Sequence, residues 1–330
     1  MANATIYDVS RLSGVSTATV SRTFSDPDSV RESTRIKVYD AAKALKYHPN
    51  AIARAMARQR TDKIAFLICK KGATILDEFY ASVCEGIMSK TNGSEYQLMI
   101  STAEEWRKNF GNAQSKHIEG VILGGDVEPE LVSELQRQDV KVVVVNNHLT
   151  GFDVPCVLAD ERSGVNQAID HLLDKGHRQI GMITGRFSPY IIRERYNAFV
   201  EYMKSHSLSI DSANIKMCEA NIEAATQAAL QLLDRPDRPT AIFASNDVIA
   251  AGIMKASRRL GLHLPEELAV VGVDDSHICN MLEPELSSVH ISCHQMGEVS
   301  ADLLYALLDG KTDLPRTTVI PTELIVRRSS

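Results

Sequence analysis

Four side chains within six residues carry the first chemical signal. Thr17, Ala18, Ser21 and Arg22 recur at a spacing that puts them on the outward face of one short helix. An arginine fork placed there can donate two hydrogen bonds to guanine O6 and N7. A threonine or alanine methyl can rest on a thymine methyl, and serine hydroxyls suit phosphate oxygens. The second signal is the stretch HPNAIARAMARQR, residues 48–60, in which Ile52 and Met56 fall four apart with Arg54 and Arg58 beside them. An apolar wedge flanked by cations suits insertion into a minor-groove step. Two plainer readings compete with these: a small helical cap with a solvated arginine, and an interdomain linker with incidental helicity.

A third group is polar and follows strand-like apolar runs: Gly124–Gly125–Asp126, Asn146–Asn147, Asp160, Ser245–Asn246–Asp247 and Asp274–Asp275. Carboxylates and amides at strand ends suit hydrogen bonding to a small ligand. No GxSxG, P-loop, HExxH or post-strand GxGxxG accompanies them, and the histidines are scattered. The expectation is a binding pocket rather than an enzyme, with no metal and no cofactor. An enzyme on an α/β scaffold and a ligand carrier that ignores DNA remain as rivals.

The elements that must position these residues are legible from the caps and periods. Thr5 caps a helix over Ile6–Leu12 with Asp8 three residues on, Gly14 supplies a turn, and Ser16 caps a second helix over Thr17–Phe24. Val9, Leu12, Val15 and Val20 fall where these two helices must pack. A third helix from about Ser33 to Lys46 offers Ile36, Val38, Tyr39, Ala42 and Leu45 as its apolar face. Two short helices across a glycine turn read as a helix-turn-helix. Pro49 and Asn50 start a further helix too short to be stable without a partner.

From Lys63 the pattern alternates between strand and helix. Strand-like runs lie at Ile64–Cys69, Gln97–Ser101, Val121–Leu123, Val140–Val145, Val157–Ala159, Ile180–Thr184, Ile242–Ala244 and Leu268–Val273. Helical segments such as Gly164–Lys175, Ala224–Leu233 and Val248–Leu260 lie between them. This is parallel α/β architecture, too long for one sheet, so two lobes facing a cleft are expected. The predicted organisation is 1–48 for DNA binding, 49–60 for a hinge helix, and 61–330 for ligand binding and dimerisation.

Charge supports this division. The net charge of −6 alone argues against nucleic acid, yet residues 1–60 hold ten Lys/Arg against five Asp/Glu, and the remainder 26 against 37. A basic head on an acidic body is expected where only the head meets phosphate. No apolar run reaches the roughly 18 residues that span a bilayer, and the first residues lack a secretory pattern, which points to the cytoplasm. The six cysteines form no CxxC and read as buried free thiols.

The stretches TIYDVSRLSGVSTATVSRTF and TRIKVYDAAKALKYHPNAIARAMA, followed in order by IEGVILGG, DHLLDKGHRQIGMITG, AIFASNDVIAAGIMKA, LAVVGVDDS and TELIVRRSS, resemble the LacI/GalR family of bacterial repressors along the whole chain. The resemblance implies an all-α helix-turn-helix domain joined to a periplasmic-binding-protein-like (type I) sensor of two Rossmann-like lobes, with crossings near 160 and 288–292. It implies a homodimer on operator DNA, controlled by a small effector, most often a sugar or sugar derivative. By position, Thr17, Ala18 and Arg22 would read bases and Met56 would be the wedge, where the family more often has leucine. Phe79, Asp160, Arg195, Asn246 and Asp274 would meet the effector. Phe79 would stack on a ring or pack in the core, and Arg195 and Asp274 would hold the ligand or pair with each other. The chain departs from the family at Asn146–Asn147, Ala220–Asn221, HISCHQMG and ERYNAF, all of which bear on effector identity. With no C-terminal heptads, a coiled-coil tetramerisation tail is not expected.

Overall fold

The computed structural model describes residues 4–25, 27–47, 61–69, 78–110, 118–186, 190–208 and 210–330. The chain divides into two compact units, residues 1–62 and 63–330. The expected hinge helix, with Arg54 and Met56, lies outside the described residues. None of the described helices is long and apolar enough to cross a membrane.

The first unit holds α1 (Ile6–Ser13), α2 (Thr17–Ser25) and α3 (Glu32–Ala44). Its helix starts follow from local hydrogen bonding. The Thr5 N–H and hydroxyl both donate to Asp8 Oδ2, at 2.9 and 2.7 Å, and hold the Asp8 carboxyl below its ordinary value. Gly14, at φ +71°, ends α1, and Ser16 Oγ accepts the Thr19 N–H at 3.1 Å to start α2. The core is Val9, Val20, Val38, Ala41 and Ala42. Three residues expected inside are not: Leu12 is 56% exposed, Ile36 54% and Tyr39 43%. So small an interior closes on one valine per helix and two alanines, with Ile6, Val15, Phe24, Leu45 and Tyr47 packed partly buried around it and Leu12, Ile36 and Tyr39 left outside. Tyr39 lies at the rim, edge-on to Phe24, with its hydroxyl donating to the Thr23 carbonyl at 3.3 Å.

The second unit is built on two six-stranded sheets. The first has the order β11-β5-β4-β3-β1-β2, drawn from β1 (Lys63–Cys69), β2 (Gln97–Thr102), β3 (Gly120–Gly125), β4 (Lys141–Val145), β5 (Cys156–Ala159) and β11 (Thr317–Ile320). The second has the order β12-β10-β9-β8-β6-β7, from β6 (Ile180–Thr184), β7 (Ile215–Met217), β8 (Ala241–Ala244), β9 (Ala269–Asp274), β10 (Ser287–Ile291) and β12 (Thr322–Ile325). All pairings are parallel except β10 with β12. The central strands are apolar on both faces because helices cover both sides, as parallel sheets require.

The chain passes between the lobes after β5, after β10 and between β11 and β12. The third passage joins two short, half-exposed edge strands, β11 and β12, which carry no long apolar run in the sequence. The passages are tied together: the Thr322 hydroxyl donates to the Asp160 carbonyl at 2.9 Å, and the Asp160 N–H donates to the Ile320 carbonyl at 2.9 Å. Two helices are pressed together in the first lobe, α4 (Glu78–Thr91) and α11 (Cys293–Leu308). Gly86 and Gly297 make that approach possible, since a Cβ on Gly86 would sit 2.0 Å from the His294 carbonyl oxygen and one on Gly297 2.0 Å from that of Val83.

Candidate functional site: a reading helix and a two-lobed cleft

Helix α2 turns Val20 and Thr23 fully inward, while Ala18 and Arg22 are exposed and Thr17 and Ser21 half-buried. The four residues singled out from the sequence therefore share the outer side of a helix anchored by its inner one. A basic fork and small side chains on such a helix can meet base edges and phosphates in a major groove.

The second unit holds a cavity of about 790 Å³ lined from both lobes. Phe79, Arg195, Asn246 and Asp274 all line it. Phe79 also packs against the core and sits edge-on to Tyr80, so its ring is part of the core edge that faces the cavity. Tyr80 and Tyr190 add further aromatic wall. Burial raises the Tyr190 phenol above its ordinary value, which keeps it a neutral donor.

Asp160 is not part of the wall. Its Oδ1 accepts the Ser163 N–H at 3.0 Å and caps α7 (Glu161–Asp174) at a lobe crossing. The carboxylate that matters is one residue on. Glu161, 8% exposed, accepts from Arg195 Nε at 2.5 Å and from its terminal nitrogen at 3.1 Å. Arg195, on α8 (Tyr190–Ser205), also donates to the Ser245 carbonyl at 2.6 Å and lies 3.5 Å from Asp274. Burial opposes its charge, but Glu161 and Asp274 outweigh burial and raise its affinity for the proton. The pairing weighed between Arg195 and Asp274 is present, but secondary to Glu161. The sequence signal for Glu161 was its place directly after a post-strand aspartate.

Asn246 caps α10 (Asp247–Arg259) through Oδ1, which accepts the Ile249 N–H at 2.8 Å. Its Nδ2 is the atom left to serve a ligand. Asp247, 1% exposed, accepts from Ser288 Oγ at 2.6 Å, Ser276 N and Oγ at 2.8 and 2.9 Å, and Cys279 Sγ at 3.1 Å. Burial raises its carboxyl above the ordinary range despite these donors. Asp274 and Asp275 both have positive φ, 110° and 52°, a left-handed pair that costs on the order of 1–3 kcal/mol per residue and concentrates at functional sites.

His290 Nδ1 lies 3.0 Å from Asp275 Oδ2, and His290 Nε2 lies 3.2 Å from Ser292 Oγ. The order Ser–His–Asp is that of an activated hydroxyl. Arg327, however, donates to Asp275 Oδ1 at 2.7 Å, so the charge that would steady an imidazolium is already matched. No cluster of metal-ligating side chains occurs among the described residues.

Fold and site together define a two-lobed small-molecule receptor on one chain with a helix-turn-helix unit. Residues 5–50 match the profile of bacterial regulatory proteins of the lacI family, and residues 169–330 match the periplasmic binding protein-like domain. This chain belongs to the LacI family, and it is a DNA-binding transcription regulator. It is 28% identical to the catabolite control protein A of Priestia megaterium over 334 aligned positions, covering 99% of both chains. A transcriptional regulator CelR–cellobiose complex superposes with a TM-score of 0.76 at 28% identity, covering 99% of this chain and 100% of that one. The lac repressor dimer bound to operator and an anti-inducer shares the fold, with a TM-score of 0.84 at 22% identity and 99% coverage of each chain.

Proposed function

We propose that this protein is a homodimeric, cytoplasmic regulator, a repressor in mode, whose operator affinity is set by a sugar or sugar derivative in the cleft. In this reading residues 1–48 bind DNA, 49–60 form the hinge helix and 61–330 form the sensor and dimer interface. Thr17, Ala18 and Arg22 read bases, Ser21 and Arg54 meet phosphate, and Met56 wedges the minor groove. Phe79, Arg195, Asn246 and Asp274 shape the effector site, with Arg195 held by Glu161 so that it positions Asp274. Asp160, capping α7 at the crossing, meets the effector from the hinge side of the cleft.

One observation carries this reading: a cavity lined by aromatic walls and polar strand-end groups of both lobes, so that a ligand filling it has differential affinity for open and closed states. The CelR–cellobiose complex, a relative with a bound disaccharide, supports the sugar class. The balanced Asp275 supports binding without turnover. The test is gel retardation of a palindromic genomic fragment by the full chain at about 100 mM salt, with and without candidate sugars. Retardation of the palindrome over random DNA, altered by one sugar, is expected. Equal affinity for random DNA would sink the operator reading.

A further inference from the structure

We propose that the sensor carries a built-in clasp, in which Ile191 and Tyr190 at one place and the Glu78–His277 pair at another hold the two lobes together, so that a ligand reaches the cavity only when these contacts release. The inference rests on the cleft being the effector site and adds what governs entry to it.

Helix α8 serves both lobes. Its body belongs to the second, where the Phe199 ring stacks on Phe243 of β8 with centroids 6.1 Å apart. Its first turn reaches the first lobe. Ile191 is 4% exposed and belongs to that lobe's core cluster, with Val144, Val154 and Leu158. Tyr190 packs against the same cluster, and its ring lies 5.7 Å from that of His148, which follows β4. An isoleucine carried by one lobe and buried in the core of the other returns to water when the lobes part. That exposure lowers the open population roughly tenfold or more.

A second contact joins the lobes independently. Glu78 opens α4 in the first lobe, and His277 follows β9 in the second. Glu78 Oε1 accepts the His277 N–H at 2.8 Å and lies 2.6 Å from His277 Nδ1. Both side chains are partly exposed, so this is the weaker half of the clasp. The two contacts are separated across each sheet. Glu78 follows β1 and His148 follows β4, on either side of β3, while His277 follows β9 and Tyr190 follows β6, on either side of β8. Lobes tied at two separated points, besides the crossings, resist both hinge opening and twisting. The chain makes these contacts itself, so they act whatever the cleft holds, and a ligand adds to closure only its own preference for the closed form.

The cavity contains a reporter of its own opening. Cys293, at the start of α11, lines the wall and is buried, and burial pushes its thiol up, so it reacts slowly while enclosed. Cys84 is buried in the core and is not part of the wall, so its exposure reports loss of the fold instead.

The test is modification of the full-length protein by fluorescein maleimide at fixed pH, read at each cysteine by peptide mass spectrometry. Ile191→Ser should speed reaction at Cys293 roughly tenfold or more, and Glu78→Ala roughly two- to fivefold, with Cys84 at the parent's rate in both. If Cys84 and Cys293 rise together in Ile191→Ser, that variant has lost its fold, and Glu78→Ala decides. Cys293 reacting in the parent as fast as a free peptide thiol, or staying at the parent's rate in either variant that keeps its fold, overturns the clasp. Operator retardation and its response to sugars are read separately, so the clasp can fail while the effector reading stands.

Discussion

Arg195 Nε and Glu161 Oε2 lie 2.5 Å apart with side chains only 4% and 8% exposed, so the guanidinium among the described cavity residues is committed to a residue outside the cavity wall. A buried pair of this kind costs little to replace whole and much to halve. Arg195→Met should lower stability by about 3–5 kcal/mol, because Glu161 is left charged and unpaired. Adding Glu161→Leu should restore a large part of that loss. Urea unfolding of both singles and the double variant reads the coupling, and losses that simply add would show that the pair does not act as a unit.

How much of this was readable in the sequence follows from what each residue reports on. Caps are local, so Thr5, Gly14 and Ser16 announced α1 and α2 directly. Long buried strands such as Lys63–Cys69 also declared themselves, because parallel sheets are apolar on both faces. The edge strands Ile215–Met217, Thr317–Ile320 and Thr322–Ile325 are short and half-exposed, and nothing local marks them. The same limit applies to the carboxylate that holds Arg195. Asp160 and Glu161 are adjacent in sequence, and only the distant Arg195 decides which one is drawn into the network.

The helix pair α4 and α11 gives a prediction whose sign runs against propensity. Alanine in a helix interior usually stabilises by about 1 kcal/mol relative to glycine. At Gly86 the added methyl would sit 2.0 Å from the His294 carbonyl oxygen, a backbone atom that cannot swing away. Gly86→Ala should therefore destabilise by about 1–3 kcal/mol or more through forced helix separation. Since α4 opens with Glu78, Phe79 and Tyr80 and α11 with Cys293, His294 and Gln295, all on the cavity wall, effector affinity should fall as well. An unchanged melting temperature in this variant would show that the two helices do not pack this closely.

Asp247 makes stability depend on pH in a predictable direction. Burial raises its folded-state pKa above the ordinary 3.8, so the fold prefers the protonated form. Its contribution is therefore full below that ordinary value and is lost as pH rises through the raised one. Asp247→Asn keeps an acceptor for Ser288 without the charge, so its stability relative to the parent should improve between about pH 4 and pH 7, by no more than about 1.4 kcal/mol per pH unit. Urea midpoints of the two proteins across that range read the difference directly. Parallel curves would mean that Ser276, Cys279 and Ser288 already offset the burial of the charge.

Arg22 separates affinity from stability. It is exposed on α2, whose inner side is held by Val20 and Thr23, so Arg22→Ala should leave thermal unfolding nearly unchanged. A bidentate contact to guanine is worth about 1–3 kcal/mol of discrimination, which corresponds to roughly 5- to 150-fold in operator affinity for each half-site. Binding to random DNA depends mainly on counterion release and loses only the share owed to one positive charge. The expected signature is a large loss on operator, a small loss on random DNA, and a shallower salt dependence for both. Equal losses on the two DNAs would reassign Arg22 to phosphate and leave base reading to Thr17 and Ala18.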